Sequence, residues 1–441
     1  MTAFSLEPAQ LAWCAELRAL AAERLRPLAD KGEPGRVNRA LVAELGSLGL
    51  LGRLFTSGAL DLCLMRESLA YACTEAETAL ALQGLGAHPV HAYGTQTQRE
   101  RWLPRVTAGT AIAAFALSEP GAGSDAAGLA LRAEAEADPG GGRPAGVAAL
   151  GPHGAAAADP QGGRSSRVDE DDVPQDGSSA AADTGPLRDP SPQDAVLAAA
   201  SDGSARWRLS GAKSWISNAP EADFYTVFAR TTPGAGARGV TAFLVPADRP
   251  GLTGRGLDML SPHPIGALDF DAVPVTADDV LGETDRGFRV AMGTLNLFRP
   301  SVGAFAVGMA QAALDATLAH TAGRDAFGGK LKDLQAVAHQ VAEMALRTEA
   351  ARLMVHAAAS AYDADAPDVP RRSAMAKLLA TETAQYVVDA AVQLHGARAL
   401  QRGHLLEHLY REVRAPRIYE GASEVQRGII AKELYARLEA R

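Results

Sequence analysis

Ile112-Ala-Ala-Phe-Ala-Leu-Ser-Glu-Pro-Gly-Ala-Gly-Ser-Asp125 is where the chain changes character. Ile112–Leu117 reads as a strand. Pro120, Gly121 and Gly123 then force a turn that exposes backbone N–H groups, a geometry suited to a phosphate. Upstream, residues 5–112 read helical. Leu11, Cys14, Leu17 and Leu20, then Leu41, Leu45 and Leu48, recur at intervals of three and four. The Ala- and Leu-rich stretch 64–93 predicts a buried helix, and 94–104 a turn and short helix. Downstream come further short strands at Leu129–Ala133, Trp207–Leu209, Phe224–Ala229, Val240–Val245 and Leu268–Phe270, divided by Gly, Pro and Asp. The helical period returns in four long segments, 287–320, 331–362, 371–396 and 424–440, which predict a bundle. The reading is α+β and multidomain: a helical domain over 1–112, a β domain over 113–284 and a helical bundle over 285–441.

The 441 residues predict two to four domains, and 47% hydrophobic content suffices for their cores. We expect no bilayer-spanning run, and the opening residues lack a basic-then-apolar signal pattern. Cys14, Cys63 and Cys73 stand apart in no metal spacing, which predicts a reducing cytoplasm and no metal site. The net charge of −9 argues against a nucleic-acid partner. All of that excess lies in 134–203, with thirteen acidic and four basic residues; the remainder carries 39 of each. This segment has no Phe, Trp, Tyr, Ile, Met, Cys or Lys. It has too little apolar surface to offset ordering, so we expect a largely disordered insertion in the β domain.

Four further motifs carry chemistry. Gly211-Ala-Lys-Ser-Trp-Ile-Ser-Asn218 places a Trp and a hydroxyl on a strand, able to pack against and hydrogen-bond a planar ring. Arg324-Asp-Ala-Phe-Gly-Gly-Lys-Leu-Lys-Asp-Leu-Gln335 and Gln393-Leu-His-Gly-Ala-Arg398 follow. Last comes Arg417-Ile-Tyr-Glu-Gly-Ala-Ser-Glu-Val-Gln-Arg427, in which Gly421 and the small residues after it let backbone approach a ligand beside the Glu420 carboxylate.

With these five motifs in this order and spacing, the chain resembles the acyl-CoA dehydrogenase family over nearly all of its length outside 134–203. The resemblance implies an N-terminal helical domain, a central β-barrel-like domain and a C-terminal four-helix bundle. It implies FAD as cofactor, an acyl-CoA substrate, an electron-transferring flavoprotein as electron acceptor, no membrane partner, and a homotetramer or homodimer. Phe115, Leu117 and Ser118 then correspond to positions lining the flavin. Ser124 corresponds to one between acyl-CoA and the flavin phosphates. Trp215, Ile216 and Ser217 correspond to the flavin-packing strand. Arg324, Phe327 and Gln335 correspond to contacts with a neighbouring subunit's FAD, and Gln393 and Gly396 to adenosine and pyrophosphate contacts. Ala422 to Glu424 correspond to a further FAD contact. Asn296 and Gly421 fall at substrate positions, and Arg299 at a buried arginine beneath the active site.

Glu420 corresponds to the base that removes the α-proton of the thioester in α,β-dehydrogenation to a trans-2-enoyl-CoA. Burial under an acyl chain should raise its pKa. The family's other base position, just before the buried arginine, is Phe298, which accepts no proton. An acyl-CoA oxidase, or a dehydrogenase of carrier-protein-bound acyl groups, remains the alternative. Three positions depart from the pattern. Asn296 replaces an Asp near the CoA adenine, Gly396-Ala-Arg-Ala399 replaces a Gly-Gly-x-Gly turn, and Ala422 replaces a Thr. Two motifs mislead. His404-Leu-Leu-Glu-His408 fits a zinc spacing without a third ligand and reads as a helix surface. Gly234-Ala-Gly-Ala-Arg-Gly239 precedes a strand, so it reads as a hairpin loop and not a dinucleotide fingerprint.

Overall fold

Local capping chemistry starts several of the helices. The computed structural model describes residues 6–136 and 205–439. Asn38 accepts from Leu41 N at 3.0 Å and opens α3 (Arg39–Ser47). Thr95 and Gln98 cap each other reciprocally at the start of α7 (Gln96–Thr107). Before them, α1 (Pro8–Leu20) runs through a π-helical turn, Ala21–Leu25, into α2 (Arg26–Ala29). Between α3 and α7 stand α4 (Leu50–Thr56), α5 (Ala59–Ala72) and α6 (Thr74–Tyr93). Both α5 and α6 are buried on most faces, as an apolar run with no polar stripe requires.

Seven strands form one sheet: β1 (Ala113–Ala116), β2 (Arg132–Ala135), β3 (Arg206–Ser217), β4 (Phe224–Arg230), β5 (Val240–Pro246), β6 (Leu252–Gly256) and β7 (Ile265–Thr276). Its order is β1-β4-β2-β3-β7-β6, with β5 on the other edge of β4. The sheet is barrel-like without closure, because β5 and β6 do not pair. Residues 234–239 join antiparallel β4 to β5, as the hairpin reading requires. Residues 137–204, and with them nearly all of the acidic insertion, lie outside the described residues.

The C-terminal part holds α8 (Gly287–Gly323), α9 (Gln335–Asp363), α10 (Val369–His395), α11 (Leu405–Glu412) and α12 (Ser423–Glu439). A two-stranded hairpin, β8 (Asp325–Ala326) and β9 (Gly329–Lys330), separates α8 from α9. The sequence reading placed His404–His408 on a helix, and α11 is that helix, its two turns too short to stand among the four long segments. That reading missed the apolar length of α8, which is long and apolar enough to cross a membrane. That expectation is corrected, with a physical reason: 72% of its most apolar window is buried inside the protein. Here the apolar surface serves packing. At Gly308 an added Cβ would sit 2.4 Å from the Glu67 carbonyl, so α8 and α5 meet backbone to backbone.

Candidate active site

Glu420 sits in a backbone turn that few residues tolerate. Its φ is +51°, and that of Gly421 is +94°. Such a non-glycine residue costs about 1–3 kcal/mol and persists only when its surroundings hold it. Three side chains do so. Gln426 Nε2 donates to the carbonyls of Glu420 and Gly421 at 3.1 and 3.0 Å. Lys377 Nζ donates to the Gly421 carbonyl at 2.7 Å. Arg299 Nε reaches the Glu420 carbonyl at 3.4 Å, while its Nη1 donates to Asn296 Oδ1 at 3.3 Å. Asn296 is thus occupied in orienting the arginine, both on α8.

The Glu420 carboxylate is left free. Its Oε2 is buried and has no hydrogen-bond partner. Its backbone N–H also makes no hydrogen bond among the described residues. Burial raises the carboxyl above the ordinary range, and Arg66, Lys377 and Arg299 hold it back. Arg66 is itself fixed, by an ion pair to buried Glu77 and a 2.7 Å bond to Ser301 Oγ. Burial draws the Lys377 ammonium down to about 8, with Glu420 opposing. The rival position, Phe298, is 1% exposed and packs edge-on to His88 at 6.2 Å.

The Gly-rich loop is braced from below. Lys213, fully buried, donates to the Leu117 carbonyl at 2.9 Å and to Glu119 at 2.8 Å. Glu119 also accepts from Ala130 N and Leu131 N at 2.6 and 3.0 Å. The turn beyond, including Gly121, Gly123 and Ser124, lies exposed, and a Cβ at either glycine would meet nothing within 4 Å. On β3 the register shifts between Lys213 and Ile216, and this bulge turns Trp215 outward, half-exposed at φ +57°. Ser217 is part-buried, and Phe115 rests on Phe228 at 4.9 Å between ring centroids. The side chains of Ile216 and Leu117 belong to the core clusters. Each offers only backbone to a ligand.

The segment Pro262–Pro264 joins the end of β3 to the bundle. Asn218 N donates to the Pro264 carbonyl at 2.8 Å, and His263 Nε2 meets Glu412 Oε2 at 2.5 Å. Burial opposes a charge on His263, yet Glu412, Glu75 and Glu77 hold its pKa above the usual histidine value. The zinc-like pair is accounted for separately. His404 caps α11 through Leu406 N at 3.1 Å, and His408 bonds Thr74 at 2.6 Å, so it faces the protein and not the surface expected. Among the described residues no group of three His, Cys, Asp or Glu could hold a metal.

The remaining candidates gather elsewhere. Arg324 and Phe327 lie on the exposed hairpin and Gln335 opens α9; Phe327 is 90% exposed at φ +55°. Gln393 and Gly396 are exposed at the end of α10. Among the described residues no hydrogen bond or ion pair links this group to Glu420. Ala422 is part-buried. Ser423 donates to Glu382 at 2.6 Å, and Glu424, exposed, pairs with Arg427 at 3.3 Å. The sequence reading missed Arg66, Glu77, Lys213, Glu119, Lys377 and Gln426. A usable signal existed for two of them: Arg66 and Lys377 are lone cations inside apolar helical runs.

Family models for the acyl-CoA dehydrogenase N-terminal, middle and C-terminal domains match residues 7–110, 182–273 and 285–435. The probable acyl-CoA dehydrogenase FadE25 of Mycobacterium tuberculosis is 31% identical over 84% of this chain and 79% of its own length. The short-chain specific mitochondrial acyl-CoA dehydrogenase of Bos taurus is 32% identical over 95% of this chain and 88% of its own. The solved butyryl-CoA dehydrogenase of Megasphaera elsdenii superposes with a TM-score of 0.78 at 27% identity, covering 98% of this chain and 99% of that one. With helices, curled sheet and bundle in the same succession as the three matched domains, the chain belongs to the acyl-CoA dehydrogenase family.

Proposed function

We propose that the chain is an acyl-CoA dehydrogenase in which Glu420 removes the α-proton of the thioester. The observation that carries this is the buried, unpartnered Glu420 Oε2 on a turn held by Gln426, Lys377 and Arg299. A carboxylate without hydrogen bonds, in a site that excludes water, accepts a proton more readily than a solvated one. The free Glu420 N–H is a donor for the thioester carbonyl, where the enolate charge develops; one such donor is worth about 2.7–4 kcal/mol. Arg66, Lys377 and Arg299 oppose the upward pull of burial on the carboxyl and favour its charged form.

FAD is the cofactor and, when bound, supplies the two-electron acceptor that completes α,β-dehydrogenation. The chain fits it. The braced loop at 118–124 presents open backbone, Trp215 stands half-exposed beside it, and Gly396 leaves room at φ +67°. The exposed Phe327 fits a contact with a second copy, in a homodimer or homotetramer. An electron-transferring flavoprotein is the proposed electron acceptor.

The purified protein should be yellow and should bleach anaerobically with a short acyl-CoA. Glu420→Gln should keep the colour and lose about 10²–10⁴-fold in turnover, the usual worth of a general base. Unchanged turnover in that variant would place the base elsewhere. Hydrogen peroxide formed stoichiometrically in air would indicate the oxidase instead.

A further inference from the structure

Arg66 has one nitrogen more than its partners use. It lies buried on α5. After burial, it is the strongest influence on the Glu420 carboxyl, ahead of Lys377 and Arg299. Its Nε pairs with Glu77 on α6, and its Nη1 donates to Ser301 Oγ on α8 at 2.7 Å. Ser301 is spent, since its hydroxyl donates to the Phe298 carbonyl at 2.7 Å. Arg66 Nη2 makes no hydrogen bond among the described residues. On Glu77, Oε1 takes the guanidinium, while Oε2 has only a long contact from Thr78 at 3.4 Å.

Tyr419 completes the cluster. Burial raises its phenol pKa, and the phenol is set among Glu77, Arg66, Glu420 and Glu412. Yet 38% of the residue stays accessible, and its hydroxyl has no hydrogen bond among the described residues. The open side of the ring therefore lines a recess that runs down to the Arg66–Glu77 pair. Phe298 shuts the gap between α6 and α8: a Cβ at Gly84 would stand 2.7 Å from its ring. A donor on Arg66, an acceptor on Glu77 and the Tyr419 hydroxyl thus stand idle near the unpartnered Oε2 of Glu420. An ion pair that only packs helices together is saturated by its neighbours, because each idle polar atom in a core costs free energy.

We infer that the acyl group of the substrate carries a neutral hydroxyl beyond its β-carbon, and that Arg66 with Glu77 selects it. The hydroxyl accepts from Arg66 Nη2 and donates to Glu77 Oε2, one bond of each sense, which uses both idle atoms. It lies past the β-carbon, since the α- and β-carbons are those that react. Charge decides against a carboxylate. Glu77 already neutralises the guanidinium, so a substrate carboxylate would meet Glu77 and Glu420 as like charges. A bare alkyl chain would expel water from the recess and leave Nη2 and the Tyr419 hydroxyl unpaired. This inference rests on the acyl-CoA dehydrogenase reading above.

The test uses the full chain loaded with FAD and measures kcat/KM with an artificial electron acceptor. 4-Hydroxybutyryl-CoA and 5-hydroxyvaleryl-CoA are each compared with the alkyl thioester of equal heavy-atom length, valeryl-CoA and hexanoyl-CoA; glutaryl-CoA supplies the carboxylate. At least one hydroxyacyl thioester is expected to exceed its alkyl match by about ten-fold or more, because a site built around a hydroxyl rejects the analogue without it. Calorimetric titration of Glu420→Gln with the same pairs should give the same order in Kd, which separates recognition from turnover. Arg66→Met/Glu77→Met exchanges the pair for apolar side chains, a swap that generally preserves folding, and should bring the ratio to unity or reverse it. A changed Glu420 pKa acts on both thioesters alike and leaves that ratio unmoved. If the double variant does not fold, the wild-type panel and the Kd order decide. Equal use of hydroxyl and alkyl thioesters, a preference for glutaryl-CoA, or a hydroxyl preference kept in the double variant would overturn the inference and leave the dehydrogenase reading intact. Flavin bleaching with none of the thioesters would overturn both.

Discussion

Replacing Gly421 with Ala should damage catalysis more than folding. At φ +94° an alanine is strained by about 1–3 kcal/mol. Its Cβ would stand 2.5 Å from Gln426 Nε2 and 3.5 Å from Val425 Cγ1. The amide must therefore swing away, and its bonds to the carbonyls of Glu420 and Gly421, worth about 1 kcal/mol each, go with it. Lys377 still holds the Gly421 carbonyl, but Glu420 keeps only the long Arg299 contact. The sum is roughly 3–5 kcal/mol, concentrated in one turn. A displacement of that turn by about 1 Å would cost turnover about a hundred-fold. The assay pairs thermal unfolding with kcat on an acyl-CoA. Gly428→Ala is the control: that glycine lies within α12 with nothing within 4 Å of the new methyl, so it should gain about 0.5–1 kcal/mol and keep kcat. Wild-type stability and turnover in Gly421→Ala would refute the claim that this backbone geometry holds the base.

Removing the Lys377 charge with Lys377→Met should move the acid limb of the kcat/KM profile to higher pH, since one of the cations restraining the Glu420 carboxyl is gone; an unmoved limb would exclude that coupling. The folded pKa of His263 is raised, so its pair with Glu412 contributes stability below the unfolded value of 6.5, lost as pH climbs through the folded value. The stability gap between wild type and His263→Gln, followed by denaturant midpoints, should narrow over that window; a gap constant with pH would count against it. Lys213→Met strands the Glu119 carboxylate in the core and should cost about 3–5 kcal/mol, with Lys213→Met/Glu119→Gln recovering part of the loss in the same denaturant series.

The layered order of the fold was legible because each layer imposes its own period. Leu41, Leu45 and Leu48 fall on one helical face, and the Gly- and Pro-rich break after Leu117 ends a strand. Glu420 was legible because a glycine beside a carboxylate marks a backbone constraint. What holds Glu420 was not. Lys377 and Gln426 lie at separations of 43 and 6 residues from it, and nothing local says which helical face turns inward. The outward turn of Trp215 was hidden for a related reason: a bulge there changes which neighbour faces out, and no residue type announces the shift. The Lys213–Glu119 pair joins residues 94 apart, so only pairing of β3 with its neighbours reveals it.

Helix α8 is also a ruler. Arg299 lies beneath Glu420, and Arg324 caps the same helix 25 residues later. At about 1.5 Å per residue the two stand roughly 37 Å apart along the axis. That is farther than a single dinucleotide reaches. On the proposed reading, in which Arg324 also contacts FAD, the base and the guanidinium would attend to two different cofactor molecules, and each chain would complete a site that belongs partly to its neighbour. Cofactor occupancy and subunit association would then rise and fall as one equilibrium.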